Sequence, residues 1–281
     1  MIKKITLLFL LFSVNAFAQD DDLLKEIDTL SITEEFAPPA FKALQVVTAQ
    51  STKLAAKGDL YFLVSHRFGD LSNGFDNFFG LDDASTKIGF IYGVSDNLNL
   101  GLGRETFMKT YDANLKYRIF SQTNKFPVEV VGYHTVSLNS ELSKDDYPNL
   151  EFSHRVAYLS QLLISKRFNE RFSLQLTPSY VHKNLYIPNT DEKDQILTSL
   201  SGRYKLSRRV SLNGEYFVNF ADSDVYRNPF SLGVDIETGG HVFQLLLSNS
   251  QVNSDIGYLT NAAGNWEKGI IYFGFNLYRV F

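Results

Sequence analysis

The sequence predicts an all-β fold: a transmembrane antiparallel up-and-down β-barrel of about twelve strands, with a short N-terminal periplasmic or plug segment. Three features of the chain lead there. It opens on a secretory leader. Apolar and polar residues alternate with period two from about Asp59 almost to the end. Long and short connections between the alternating stretches follow one another in order.

The leader is read from Lys3 and Lys4, the apolar run Ile5 to Phe12, and the small-x-small site Ala16-Phe17-Ala18 ahead of Gln19. This is the pattern of a signal peptide, and its apolar part is too short for a membrane helix. Residues 1–18 are therefore assigned to the leader, 19–57 to an N-terminal segment and 58–281 to the barrel. Cleavage between Ala18 and Gln19 would take away Lys3 and Lys4 and shift the chain, at 27 basic and 31 acidic residues, further towards acid. A net acidic chain with no basic cluster is a poor partner for nucleic acid. The chain has no cysteine, which removes disulfides, thiolate metal sites and lipid anchoring through a thiol. Its 15 Tyr and 24 Phe against two Met suit strands better than helices.

In Tyr111 to Ile119 the odd positions are Tyr, Ala, Leu, Tyr and Ile, and the even ones are Asp112, Asn114, Lys116 and Arg118. The same split recurs in 172–182 and 210–220. Further strands are expected near 59–68, 85–93, 98–105, 128–139, 156–168, 195–205, 229–237, 241–249 and 269–281. Most reach the ~9–11 residues that cross hydrocarbon at a tilt. Alternation would also fit a soluble sandwich, so the connections decide. Those near 94–97, 121–127, 169–171, 206–209 and 238–240 are short. Those near 69–84, 140–155, 184–194, 221–228 and 250–268 are long, and only 106–110 is brief. Membrane barrels have short periplasmic turns and longer outside loops, and an even strand count leaves both termini periplasmic.

The long loops are acidic, with Asp82, Asp83, Asp145, Asp146, Asp191 and Glu192 among others. Solvated loops explain this, and so would bridging to lipopolysaccharide through divalent cations. The expected partners are outer-membrane lipids, lipopolysaccharide and, during biogenesis, the barrel-assembly machinery. Phe281 ends the apolar face of the last strand and is expected to act as an assembly signal. Residues 19–57 alternate poorly: Leu23 to Leu30 suggests a short acidic helix, Pro38-Pro39 a break, and Leu44 to Val47 a short strand. If this segment folds inward, Glu26, Asp28, Glu34 and Glu35 could meet Lys205 and Arg167 near the periplasmic mouth.

By alternation the lumen carries Arg67, Lys87, Lys116, Arg118, Arg167, Lys183, Arg203 and Lys205, against Asp59, Glu105, Asp112, Glu129, Glu215, Asp235 and Glu237, a near balance of charge. Unpaired charges in a narrow lumen are costly, so opposite charges are expected to pair. The result is either a salt-bridged, filled interior or an aqueous path with little ion preference. Twelve strands lie between the filled eight-stranded barrel and the open sixteen-stranded one. The five histidines are scattered, and no HExxH or carboxylate cluster suggests a metal or other cofactor. A lipid-facing esterase would need Ser and His within hydrogen-bond reach. His134 and Ser137 are near in sequence, but their odd spacing puts them on opposite faces. No catalytic residue is expected.

Several stretches resemble a β-barrel family of Bacteroidota, domain of unknown function 5777. They are Ser65-His66-Arg67-Phe68-Gly69-Asp70, Phe79-Gly80-Leu81-Asp82, Lys109-Thr110-Tyr111-Asp112, Gly202-Arg203-Tyr204-Lys205-Leu206, Glu237-Thr238-Gly239-Gly240-His241-Val242-Phe243-Gln244 and Phe273-Gly274-Phe275-Asn276. The resemblance covers about 40–281 and implies an outer-membrane barrel without a reaction. The leading expectation is a narrow or gated channel for small polar solutes. A structural or docking protein is the alternative, and an outer-membrane enzyme is a third.

Overall fold

The computed structural model describes residues 35–188 and 190–281. Contacts divide the chain into two units, 1–35 and 36–281, and the second holds the barrel. Its twelve described strands are β1 (Leu60–Asp70), β2 (Ala84–Ser95), β3 (Leu98–Glu105), β4 (Thr110–Phe120), β5 (Glu129–Asn139), β6 (Val156–Arg167), β7 (Phe172–Lys183), β8 (Asp194–Lys205), β9 (Val210–Asn219), β10 (Phe230–Thr238), β11 (His241–Ser248) and β12 (Tyr272–Val280), with one short helix, α1 (Asp255–Thr260), between the last two.

Each strand pairs antiparallel with the next, and β1 pairs with β12, so the sheet closes on itself. Closure leaves no edge with unpaired backbone, the condition for a sheet in hydrocarbon. The period-two pattern sets the register. Leu100, Leu115, Leu176, Leu200 and Leu245 point outward. Asn99, Lys116, Gln175, Ser201 and Gln244 point inward and are buried. The seam is extended past the last named residues by Phe281 N–H to the Leu60 carbonyl at 3.0 Å and Leu60 N–H to the Phe281 carbonyl at 3.3 Å.

The short turns gather at one end of the barrel with the start of β1 and the end of β12, and the long connections gather at the other. We call these the turn end and the loop end. Two stretches do not stay outside the sheet. Residues 36–57, here the strap, enter the lumen from the turn end, where Ala37 N–H donates to the Gln122 carbonyl at 2.9 Å. The strap reverses at Val46–Ala49 and returns to Asp59. Its turn is closed by Val46 N–H to the Ala49 carbonyl at 2.7 Å and Ser51 N–H to the Leu44 carbonyl at 3.0 Å. Leu44 to Val47 was expected as a strand and is not one. A single bridge between Gln45 and Gln50 is all the pairing it makes, because the barrel wall rather than a neighbouring strand takes its backbone groups. The expected helix over 23–30 lies outside the described residues.

The second stretch is the connection between β11 and β12. Instead of standing clear as a solvated loop, its residues 252–260 descend from the loop end. Val252, Ile256, Tyr258 and Leu259 are all buried. The last three pack with Ala49 and Leu54 of the strap and with Val131, Leu163 and Phe217 of the wall in one cluster.

Candidate functional site: a lumen closed from both ends

The strap has no ladder of its own, so its backbone groups need partners in a place without bulk water. The inward side chains provide them, sorted by charge. Near the middle of β9, Glu215 turns its carboxylate to the strap's reversal. Val47, Thr48 and Ala49 N–H donate to its oxygens at 3.0, 2.8 and 3.1 Å. On β4, Lys116 donates from Nζ to the carbonyls of Leu44 and Ser51, both at 3.1 Å. Arg203 donates to the Ala40 carbonyl at 3.2 Å and to Ser211 Oγ at 3.0 Å. Arg67, only 1% exposed, donates to Thr48 Oγ1 at 3.1 Å and Asn276 Oδ1 at 3.0 Å. Carboxylates thus hold N–H groups and cations hold carbonyls, the only satisfiable combination.

The inserted loop is fixed by the same chemistry. Glu105, at the loop end of β3, accepts from Ser85 Oγ at 2.9 Å, from Ser254 N–H at 2.8 Å and from Asn253 N–H. Asp255 accepts from Tyr133 Oη at 2.8 Å, and its second oxygen takes Gln50 Nε2 of the strap at 2.8 Å. The two insertions therefore meet at mid-barrel. What they leave beside Lys87, Asn99 and Asp255 is a space of about 30 Å³, the share of one water molecule.

The inward charges expected from alternation do not mainly pair with one another. Two pairs form within that set: Lys87 with Asp112 at 2.6 Å, and Arg118 with Glu129 at 2.9 Å. Lys183 turns to Asp191 at 2.6 Å and Glu237 to Lys42 at 2.9 Å. Asp235 accepts from Gln244 Nε2 at 2.8 Å, and Arg167 donates to the Asn169 carbonyl at 3.1 Å. Lys205 is half-buried at the turn end. For Glu215, Lys116, Arg203 and Glu105 the cause is that strap and loop bring backbone groups into the lumen, which compete with the opposite charge for these side chains. Of the acidic residues suggested as strap anchors, Glu26, Asp28 and Glu34 lie outside the described residues.

Sequence reasoning missed the inserted loop, yet two signals were present. Several strands break alternation with consecutive apolar residues: Val130-Val131, Leu162-Leu163-Ile164 and Tyr216-Phe217-Val218. Their second face is apolar too, and it needs a cover inside the barrel. Ile256, Tyr258 and Leu259, in a connection otherwise polar enough to be solvated, are that cover.

One further cluster lies on the outward face. Ser160 Oγ is 2.9 Å from His134 Nδ1, and Tyr117 Oη is 3.2 Å from His134 Nε2. The serine in reach of His134 is thus on the neighbouring strand β6 and not Ser137, which instead donates to Asp112 at 2.6 Å inside the barrel. The backbone N–H groups around this cluster belong to the β4–β5–β6 ladders, so none is free to stabilise an oxyanion.

Comparison with solved structures gives barrels of similar design. A KdgM porin in complex with disordered oligogalacturonate superposes with a TM-score of 0.50 at 6% identity, over 79% of this chain and 99% of that one. An outer membrane channel from Pseudomonas putida F1 gives 0.46 at 15% identity, over 82% and 97%. For the KdgM porin, at 6% identity, the likeness is one of fold alone. No curated protein matches the sequence. Residues 41–281 match the family described as a membrane bound beta barrel domain (DUF5777), which takes in most of the strap, every strand and the inserted loop, and the chain belongs to that family.

Proposed function

We propose that this chain is an outer-membrane channel for small polar solutes, closed at rest by its own strap and loop. The observation that carries this reading is the manner of closure. A lumen filled only for stability is best filled by apolar side chains, since buried charges cost more than they return unless well paired. Here the wall is polar outside one apolar cluster, and the filling is two separable chain segments held to that wall by many hydrogen bonds. Withdrawal of both would leave a water-lined, mixed-charge path with no strong choice of ion sign. The long loops would face the cell exterior, as in known membrane barrels, and both termini the periplasm. Lipids and lipopolysaccharide would surround the outward face, and the barrel-assembly machinery would receive the chain. The resemblance to Bacteroidota barrels fits an envelope of that kind.

The test is planar-bilayer conductance of four proteins: the full chain, one lacking 36–56, one with 251–263 replaced by a short Gly-Ser link, and one with both changes. The full chain should be closed most of the time and the doubly altered barrel persistently open. If the doubly altered protein assembles and still does not conduct, the channel reading fails, and a docking role through the loops takes its place.

A second reading, a membrane-embedded esterase, is favoured only by Ser160 and His134. Release of fatty acid from phospholipid that disappears in Ser160→Ala would establish it.

A further inference from the structure

Above the inserted loop, at the loop end, lies a cavity of about 370 Å³. That is within the roughly 300–1,000 Å³ range of small-molecule sites. Its walls are mainly apolar and aromatic, with Phe107, Met108, Leu142, Tyr147, Ile187 and Tyr226 from four different connections. Its floor includes Ile256 and Gly257 of α1. Met108 lines it with a φ of 51°, in the left-handed region that non-glycine residues occupy at a cost and that recurs at ligand sites.

The polar groups on the wall are few and unequal. Lys183 is already taken by Asp191 at 2.6 Å, and Asp191 also accepts from the Glu192 N–H at 3.0 Å. Arg155 makes no ion pair among the described residues. Beside it, His154 Nδ1 accepts the Glu151 N–H at 3.1 Å, which leaves Nε2–H as the ring's donor. The cavity therefore combines an apolar body with one uncommitted guanidinium and one imidazole N–H. We propose that it is a binding site for a small amphipathic monocarboxylate, with an aromatic or aliphatic body against the walls and its carboxylate on Arg155.

The surroundings narrow the class further. An adjoining groove, reached past Tyr186 and Asp191, is lined by Glu192, Asp194, Asp222 and Asp224, with Lys193 the one cation against these four carboxylates among the described residues. A polyanion would bring its other charges against these carboxylates, whereas a single carboxylate on Arg155 would not. Since α1 is part of the floor, bound ligand and inserted loop stabilise each other. By linkage, occupancy favours the closed barrel, and withdrawal of the loop releases the ligand. This coupling rests on the channel reading, and the binding site itself does not.

The experiment titrates the full-length protein in nanodiscs with phenylacetate by calorimetry, with empty nanodiscs subtracted, and uses 2-phenylethanol as the uncharged comparison. Phenylacetate should bind saturably and about tenfold more tightly than 2-phenylethanol, the return of a charge-assisted contact. In Arg155→Gln that preference should vanish while 2-phenylethanol binding stays. Ile187→Asp, an exposed wall position carrying a new carboxylate, should weaken phenylacetate more than 2-phenylethanol and so shrink the preference. Absence of saturable binding, or an undiminished preference in both variants, would overturn the site. In the bilayer, phenylacetate should lower open probability, and an unchanged or raised open probability would overturn the coupling. A barrel that never conducts would defeat the channel reading, while the calorimetric titration would still decide the binding site by itself.

Discussion

Glu215 holds three backbone N–H groups that belong to a segment some 166–168 positions earlier in the chain. Replacing it by Ala leaves those donors buried and unpaired, at about 1–3 kcal/mol each. The β9 backbone is untouched, so the barrel should still form. The expected outcome of Glu215→Ala is faster amide exchange at Val47 to Ala49 and a higher open probability, with unchanged heat-modifiable mobility in gels. Protection that survives the substitution would show that packing alone holds the reversal. Ser160, His134 and Tyr117 are a different case. In the outward face each satisfies another, so no polar atom of the ring is left bare to lipid. Ser160→Ala removes the partner of His134 Nδ1 and should destabilise the folded barrel by about 1–3 kcal/mol, read from urea unfolding in detergent. A neutral result would mean that the imidazole finds another partner.

At the scale of elements, the strap and the wall fit closely enough to be locked. A Cβ built on Gly233 of β10 would lie 3.2 Å from Cγ1 of Val47, the atom whose place a cysteine sulfur would take, which brings the two positions within reach of a disulfide. Because the chain has no cysteine of its own, Val47→Cys with Gly233→Cys introduces a single possible bridge. Oxidised, this variant should show no strap-dependent opening, and reduction should restore it. If oxidised and reduced currents agree, the strap is not the moving part. The strands were legible in the sequence because a sheet with two different solvents on its faces writes that difference at every second residue. Tyr111 to Ile119 is readable for this reason alone. The strap was legible only as an exception to the pattern. Lys116 and Arg203 bind backbone carbonyls, which every residue carries, so nothing in the identities of Leu44, Ser51 or Ala40 marks them as partners. The inserted loop was hidden for another reason: connections are normally solvated, and Ile256, Tyr258 and Leu259 gain their meaning only from the apolar inward residues Val131, Leu163 and Phe217.

For the whole molecule, the consequence lies in how the two closures are joined. The strap enters from the turn end and the loop from the loop end, and they touch through Gln50 and Asp255 and through Ala49, Leu54, Ile256 and Tyr258. Each is anchored by its own glutamate, Glu215 for the strap and Glu105 for the loop. If the segments moved independently, the free-energy changes in opening caused by Glu215→Ala and Glu105→Ala would simply add. Because they share a contact, release of one removes part of what holds the other, and residues in contact typically couple by about 0.5–3 kcal/mol. In a double-mutant cycle on the open–closed equilibrium, the double variant should therefore open less than the sum of the single effects implies. Each single change already forfeits the shared contact, and the contact can be lost only once. Gln50→Ala, which removes the hydrogen bond to Asp255 while keeping both glutamate anchors, should shrink that coupling. Additivity within about 0.5 kcal/mol in the parent cycle would mean two independent gates in series, and the barrel would then conduct only when both happened to be open together.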